Sequence, residues 1–191
     1  MGGRLQAQIL ALVGLAALVM ALVAAAPASA ATLKVCATGC EYTTIGAALA
    51  AATDGDRIVI GAGTYVERVT ISDDVSVMGA GSSKTIIQGP DVGSELNVDP
   101  VVGVEAGASA SISGVTITGG HVEGSGGGIV NAGTLDLSRT AVVGNDAIFD
   151  GGSILNLGTL TISQSTIAGI AGHESGGGIN NSGSYSSRTA P

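Results

Sequence analysis

Aromatic, basic and metal-ligating residues are all scarce in this chain. It contains no Trp, one Phe and three Tyr among 191 residues, so it lacks the flat aromatic platform that sugar sites usually present. Seven Lys and Arg against 15 Asp and Glu give a net charge of −8, which argues against a nucleic-acid partner because phosphates require basic patches. With only two His and two Cys, we also expect no metal site and no cofactor.

Only one long apolar run is present, and it lies at the N-terminus. Arg4 precedes the apolar residues 9–26, and the small residues Ala28-Ser29-Ala30 follow. This pattern is typical of an export signal. A membrane anchor is the alternative, since the run approaches the length that spans a bilayer, but Pro27 and the small-residue ending favour cleavage. We therefore predict a signal peptide over residues 1–30, a secreted or cell-surface location, and no membrane association after cleavage.

The two cysteines, Cys36 and Cys40, follow the predicted signal directly. In an exported chain this spacing indicates a disulfide that closes a very small loop, with Gly39 easing the turn. A metal site would need two further soft ligands. His121 and His173 lie far away in sequence, so the disulfide is the preferred interpretation.

Glycine is abundant, with 32 residues, and much of it recurs at a fixed interval. Units that begin at Gly127, Gly152 and Gly177 are 25 residues apart. The aligned positions include an asparagine column, Asn131, Asn156 and Asn181, and a glycine column, Gly133, Gly158 and Gly183. Projected backwards, the interval places Val104 with Ile129, Ala110 with Leu135, Ile112 with Leu137, and Ile117 with Val142. A constant period of this size predicts a solenoid whose units bury their apolar faces against each other.

The content of each unit identifies the kind of solenoid. Leu135-Asp136-Leu137 and Leu160-Thr161-Ile162 alternate apolar and polar residues, as strands with one inward face do. No stretch within the unit has helical spacing. We therefore predict an all-β fold of stacked parallel strands about 4.8 Å apart, in which Tyr185 occupies the inward Leu135 and Leu160 column and packs inside.

The first part of the chain predicts a cap and irregular coils. Residues 43–53 have apolar residues at helical spacing, which indicates a short helix that covers the first open end. Strands are expected over residues 57–60, 65–71, 75–78 and 85–88, and residues 89–100 are expected to leave the coil. We divide the chain into residues 1–30 (signal), 31–56 (disulfide loop and capping helix), 57–183 (coils, regular from about 101) and 184–191 (polar tail).

The segments Tyr42-Thr43-Thr44-Ile45, Gly55-Asp56-Arg57-Ile58-Val59-Ile60, Gly63-Thr64-Tyr65 with Glu67, and Val75 to Gly81 resemble the opening of pectin-lyase-like right-handed parallel β-helix proteins. The glycine-rich units from Gly126 onward are similar to repeats of bacterial surface β-helix proteins, including the polymorphic outer-membrane class. The resemblance implies a right-handed parallel β-helix over about residues 35 to 183. It leaves function open, because this fold hosts lyases, esterases, hydrolases and adhesins.

Several polar groups are candidates for chemistry. The asparagine column is interpreted as a structural ladder, because asparagine ladders are common in the family that the chain resembles. Asp54, Asp56, Asp73 and Asp74 lie in turns, where solvated Asp is usual. If the chain is an enzyme, Asp136 and Arg139 are the candidate catalytic pair, and Ca²⁺ would enter only in that case, as in lyases of this fold. A Thr-x-Thr row that could bind ice begins at Thr116 but is not repeated in the next unit.

The polar end of the chain and the missing catalytic motifs determine the functional hypothesis. Alternation stops across residues 184–190, which suggests a truncated β-helix able to self-associate through an open last coil. The Gln- and Asp-bearing motifs of pectin esterases are absent downstream. We predict a non-catalytic secreted or surface scaffold of adhesion type, which binds an extracellular polysaccharide or a surface protein. The alternative is a pectin-lyase-like polysaccharide-degrading enzyme, or a remnant of one.

Overall fold

The computed structural model describes residues 29–91, 99–149, 151–169 and 178–188. These residues form three parallel sheets and one short helix, α1 (Ile45–Ala51). The predicted signal lies almost wholly outside the described residues, as do His173 and most of the excursion expected between residues 89 and 100.

The three sheets are the sides of one tube. The first sheet has seven strands in the order β1 (Thr32–Val35), β2 (Arg57–Ile60), β5 (Val75–Gly79), β8 (Ser109–Ser113), β12 (Thr134–Ser138), β15 (Thr159–Ser163) and β18 (Ser184–Arg188). The second contains β3 (Gly63–Val66), β6 (Thr85–Gln88), β9 (Thr116–Thr118), β13 (Ala141–Ala147) and β10 (His121–Val122), with β16 (Thr166–Gly169) also on β13. The third contains β4 (Val69–Ile71), β7 (Val102–Val104), β11 (Ile129–Asn131), β14 (Ile154–Asn156) and β17 (Ile179–Asn181). The predicted all-β parallel solenoid with one N-terminal helix is confirmed.

Equal spacing in the sequence becomes equal height in the tube. Ile129 pairs with Ile154, and Ile154 pairs with Ile179. Leu137 lies between Ile112 and Ile162 in the first sheet. Ile129, Leu137 and Ile154 are wholly buried, so the alternating pattern sends one row of apolar side chains into a continuous core.

The backward projection of the repeat is correct in two sheets and wrong at Val104. Val104 pairs with Asn131, and Ile129 pairs with Val102 instead. Four residues, 105–108, separate β7 from β8, whereas only residues 132 and 133 separate β11 from β12. The two extra turn residues shift the register before the turn and leave the predicted partners after it unchanged.

The N-terminal helix is held by two side-chain caps. Thr44 Oγ1 accepts the N–H of Ala47 at 3.3 Å. The Glu67 carboxylate accepts the N–H groups of Ile45 and Gly46 at 2.8 and 2.9 Å. A carboxylate at this end also favours the helix dipole, so Glu67 in the bend between β3 and β4 ties the helix to the first coils. That bend divides the single strand predicted over residues 65–71 into two.

The two ends of the first sheet are built differently from each other. Beside β1, Cys36 N–H donates to Tyr42 O and Tyr42 N–H donates to Lys34 O, both at 3.1 Å, and a Cys36–Cys40 disulfide closes the loop between them. At the other end, residues 184–188, expected to be a polar tail, form β18 and pair with β15. Tyr185 lies above Leu160 as the repeat requires, but the prediction that it packs inside is wrong: it is 47% exposed, because no described strand covers β18.

Candidate functional site

The outer face of the first sheet carries an array of short hydroxyl side chains. Outward positions alternate with the buried ones along each strand, and the parallel register stacks them in three rows. On four successive strands the outward residues are Ser109, Ser111 and Ser113; Thr134, Asp136 and Ser138; Thr159, Thr161 and Ser163; Ser184, Ser186 and Arg188. The array is a surface of hydroxyl groups that repeat about every 4.8 Å along the tube, with the Asp136 carboxylate in its middle row and the Arg188 guanidinium at its edge.

Hydrogen bonds between neighbouring coils orient some of these hydroxyls. Ser111 Oγ donates to Ser76 Oγ at 3.2 Å. Thr161 Oγ1 and Ser186 Oγ lie 3.1 Å apart, and either can donate. Asp136 stands between these two pairs in the same row. Side chains with only one or two rotatable bonds lose little conformational entropy when a ligand is bound.

A shallow groove of about 350 Å³ runs over this face. Asp74, Ser76, Ser111, Thr134 and Asp136 line it, together with neighbouring backbone. The Asp74 carboxylate already accepts the N–H of Ser109 at 2.7 Å. Asp136 is exposed and accepts no hydrogen bond from the described part of the chain, so its carboxylate is available to a ligand.

The candidate catalytic residues Asp136 and Arg139 lie at different places on one strand and its turn. Asp136 is in the middle of β12, whereas Arg139 is in the following turn, where its φ of +48° matches the +49° of Gln164 one coil on. Arg139 N–H donates to Ser163 O at 3.2 Å, and its side chain is exposed. Within the described ranges the two side chains form no ion pair with each other. The structure therefore supplies a surface carboxylate and a surface guanidinium without bringing them together.

The three asparagines form a ladder inside the tube. Asn131 Nδ2 donates to Asn156 Oδ1 at 2.7 Å, and Asn156 Nδ2 donates to Asn181 Oδ1 at 2.6 Å. The same amides also donate to the carbonyls of Thr159 and Ser184, both at 3.0 Å, beyond the tight turn. Asn131 and Asn156 are fully buried, so their amides bond the turn and each other and face no ligand.

A third buried asparagine, Asn145, bonds the backbone in the same way at another corner of the tube. Its Nδ2 donates to Ile117 O at 3.0 Å and to Val143 O at 3.2 Å, and its Oδ1 accepts the N–H of Gly120 at 2.9 Å. It lies where the register of β13 shifts against β16. Sequence reasoning missed it because the equivalent positions, Gly120 and Ile170, are not Asn. The nearest signal was an Asn inside an otherwise strand-like run.

Asp56 is a buried structural acceptor, and the expectation that it is solvated is wrong. Its Oδ1 accepts the N–H of Ala31 at 2.6 Å, and its Oδ2 accepts the N–H and hydroxyl of Thr53 at 2.9 and 3.1 Å. These bonds, the one from Ala31 first, lower the pKa of the Asp56 carboxyl. The carboxylate thereby joins the first strand to the end of the helix. Asp54 also has a structural role, because it accepts the N–H of Asp74 at 3.0 Å.

Asp56 predicts a specific acid sensitivity. Because the pKa is depressed in the folded chain, the stabilisation is present above the unfolded value of about 3.9 and is lost as the pH falls through the folded pKa. We expect Asp56→Asn to lower the melting temperature at pH 7. The difference in melting temperature between the variant and the wild type should become smaller as the pH approaches 3. Thermal melts from pH 3 to 7 test this. Asp73→Asn is the control, and an equal pH response in both variants would exclude this role.

Among the described residues, one ion pair joins β10 to β13. His121 Nδ1 lies 3.0 Å from Asp146 Oδ2, where β10 pairs with β13. Both side chains are more than a third exposed, so the pair contributes at most about 1 kcal/mol to stability.

In the described ranges no three His, Cys, Asp or Glu side chains converge on a possible metal position. The helix found in those ranges is too short to cross a membrane.

Comparison with known proteins relates the chain to others by fold. No family profile and no curated sequence matches it. Among solved structures, pectin methylesterase PemA from Erwinia chrysanthemi superposes with a TM-score of 0.56 at 16% identity, over 72% of this chain and 49% of that one. Two pectin methylesterase structures with bound hexasaccharides give TM-scores of 0.51 and 0.52 at 16 and 17% identity, over 76 and 77% of this chain and 60 and 53% of theirs.

These matches show that the chain has a parallel β-helix fold of the pectin-lyase-like kind. The resemblance to pectin-lyase-like β-helix proteins that was inferred from the opening strands is confirmed for the fold, whereas the similarity of the repeats to bacterial surface proteins stays a prediction. Identity of 16 to 17% shows a shared fold alone. The chain spans about half to three fifths of the length of these enzymes.

Proposed function

We propose that the protein is a non-catalytic, secreted or cell-surface scaffold whose first sheet binds an extracellular polysaccharide along its outer face. The observation that carries the proposal is the hydroxyl array on β8, β12, β15 and β18. A polysaccharide presents hydroxyl groups at regular intervals, and a flat array of donors and acceptors at a regular spacing can bond many of them at once. Each bond is weak, but repetition along one chain raises the total affinity.

The chemistry of the face favours binding over catalysis. Polysaccharide cleavage or de-esterification requires acid, base or nucleophile groups close together. In the groove, Asp74 is engaged with Ser109, and Asp136 is the carboxylate left without a partner among the described residues. Arg139 lies at the end of the strand, about 10 Å from Asp136 by strand geometry. A single unpaired carboxylate supplies electrostatic recognition more readily than general acid and base together.

A polysaccharide-degrading enzyme is the second candidate, since the structural matches are pectin methylesterases, two of them with bound hexasaccharides. One experiment separates the two functions. The purified chain is incubated with methyl-esterified and de-esterified pectin, with and without Ca²⁺. Retention on the immobilised polymer is measured beside release of methanol, reducing ends and unsaturated ends. We expect saturable retention on the methyl-esterified pectin, weaker retention on the de-esterified form, and no product from either. Product formation abolished by Asp136→Asn would overturn the scaffold and support the enzyme.

The export part of the proposal rests on residues 1–30 alone. The basic residue, apolar run and small-residue ending predict cleavage after Ala30. N-terminal sequencing of protein recovered outside the producing cells should begin at Ala31. An uncleaved N-terminus in the membrane fraction would support the anchor alternative.

A second copy of the chain is a further proposed partner at the β18 edge. A depression of about 480 Å³ there is lined by Ile162, Ile167, Ile179 and Tyr185, and β18 pairs on one side only in the described structure. Exposed strand edges next to apolar side chains favour pairing with another chain. We expect the sedimentation coefficient of the chain without residues 1–30 to rise with concentration, and Tyr185→Lys to suppress the rise. A monomer at all concentrations would contradict this partner.

A further inference from the structure

We infer that the groove between Asp74 and Asp136 selects a polysaccharide that carries free amino groups, and disfavours a polyanion such as de-esterified pectin. This inference rests on the proposed glycan-binding function and specifies the ligand. It follows from the carboxylates that line the groove and from the absence of Lys, Arg and His among its lining residues.

The side chains that line the groove include acids and no base. Asp74 and Asp136 both line it, and no Lys, Arg or His does so. Asp74 Oδ1 accepts the Ser109 N–H at 2.7 Å. Asp136 has no hydrogen-bonding or ionic partner among the residues that the structure describes. An amine of a ligand would therefore meet a carboxylate at the centre of the face, whereas a uronate would meet repulsion.

The cations nearest to the groove lie beside its edges and away from Asp136. Arg57 lies in the same outward row, one coil before Ser76 at the edge of the groove, but three coils, about 14 Å along the axis, before Asp136. Arg139 lies in the turn after β12, and Arg188 lies two coils beyond Ser138 at the edge of the sheet. At physiological salt the screening length is about 8 Å, and these cations lie about 10 Å or more from Asp136 by strand geometry, so they leave the charge of Asp136 uncompensated. The chain as a whole, at −8, reinforces the preference.

The hydroxyl rows determine how such a ligand would lie. Ser111 and Thr161 flank Asp136 along the axis. Each is hydrogen-bonded to the next hydroxyl in the row on the side away from Asp136. A chain running parallel to the tube axis meets hydroxyls on every coil and the free carboxylate on one of them. The hydroxyls supply contacts to any sugar chain, and Asp136 supplies the selection between a cationic, a neutral and an anionic one.

The test compares three polymers that differ mainly in charge. Binding of the whole chain is measured by calorimetry and affinity electrophoresis to partially deacetylated chitosan oligosaccharides, fully N-acetylated chitin oligosaccharides and de-esterified polygalacturonate. We expect the amine-bearing ligand to bind most tightly and the polyanion least. Asp136→Asn should weaken chitosan binding about three- to fivefold and weaken chitin binding less than that, because an amide still bonds sugar hydroxyls but carries no charge. Raising the salt concentration should reduce the difference in affinity between chitosan and the other two polymers.

The control is Glu105→Gln, which removes one exposed carboxylate from the turn between β7 and β8, outside the groove. We expect no change in binding to any of the three polymers. If chitin and chitosan bind equally and Asp136→Asn has no effect, the charge selection is wrong while glycan binding stands. If none of the three polymers or the pectins binds, the proposed function itself fails.

Discussion

Replacing Asn156 with Asp is expected to destabilise the fold by about 3–5 kcal/mol at pH 7, although the two side chains have almost the same shape. The Asn156 amide is fully buried and donates to Asn181 Oδ1, Gly158 O and Ser184 O. A carboxylate would place negative charge against these three oxygens and would donate nothing. The free energy of unfolding, measured by urea denaturation, reports the loss.

Asn181→Asp provides a matched control with the same chemistry at an exposed position. Asn181 Oδ1 accepts from Asn156, and a carboxylate there remains a good acceptor. Its own donation to Gly183 O, at 3.0 Å, is lost at the exposed end of the ladder. We expect a change below about 1 kcal/mol. Equal losses in the two variants would show that burial in the ladder does not set the requirement for an amide.

Replacing Gly158 with Ala is expected to destabilise the fold by about 3 kcal/mol through a steric overlap. A methyl group at Gly158 would overlap the carbonyl oxygen of Gly133 one coil below, and would lie 2.9 Å from the carbonyl oxygen of Ala132. Backbone atoms on a neighbouring coil cannot rotate away as a side chain can. The coil would have to move apart from its neighbour and lengthen the ladder hydrogen bonds at this corner.

The control for this variant is Gly124→Ala, since a methyl group there would meet no atom within 4 Å. We expect that variant to be unchanged or more stable by up to about 1 kcal/mol, because alanine restricts the unfolded chain. Urea denaturation of both proteins gives the comparison. A loss below 0.5 kcal/mol for Gly158→Ala, taken as roughly the size of an ordinary surface effect, would mean that the coils are less tightly stacked at this turn than the structure indicates.

Particular residues explain how far the sequence could predict the fold. The interval from Gly133 to Gly158 to Gly183 was visible in the sequence. The structure explains why glycine recurs there, because each of these residues lies against the backbone of the coil before it and leaves no room for a side chain. The interval failed at Val104, where the turn is longer by two residues and no repeat of that turn exists to reveal it. Asp56 was misjudged because its partner Ala31 is 25 residues away, and only the folded first coil brings them together.

The candidate site was less predictable than the fold. Each outward Ser or Thr looked like an ordinary solvent-facing strand residue when its strand was considered alone. The hydroxyl array exists only because the parallel register places Ser109, Thr134, Thr159 and Ser184 in one row. The Thr-x-Thr row sought from Thr116 lies on another sheet, where Ala141 interrupts it. Likewise, nothing in the spacing of Asp74 and Asp136 indicated that they line one groove.

The sequence by itself determined the parallel tube, its interval and its inward columns, because apolar alternation and a constant period are local properties that stacking repeats without change. The tertiary structure alone decided which carboxylates are buried and which are free. It also decided where the long turn shifts the register and which outward side chains share a surface. Those properties depend on distances between residues on different coils, and the chain sets such distances only when the coils pack against one another.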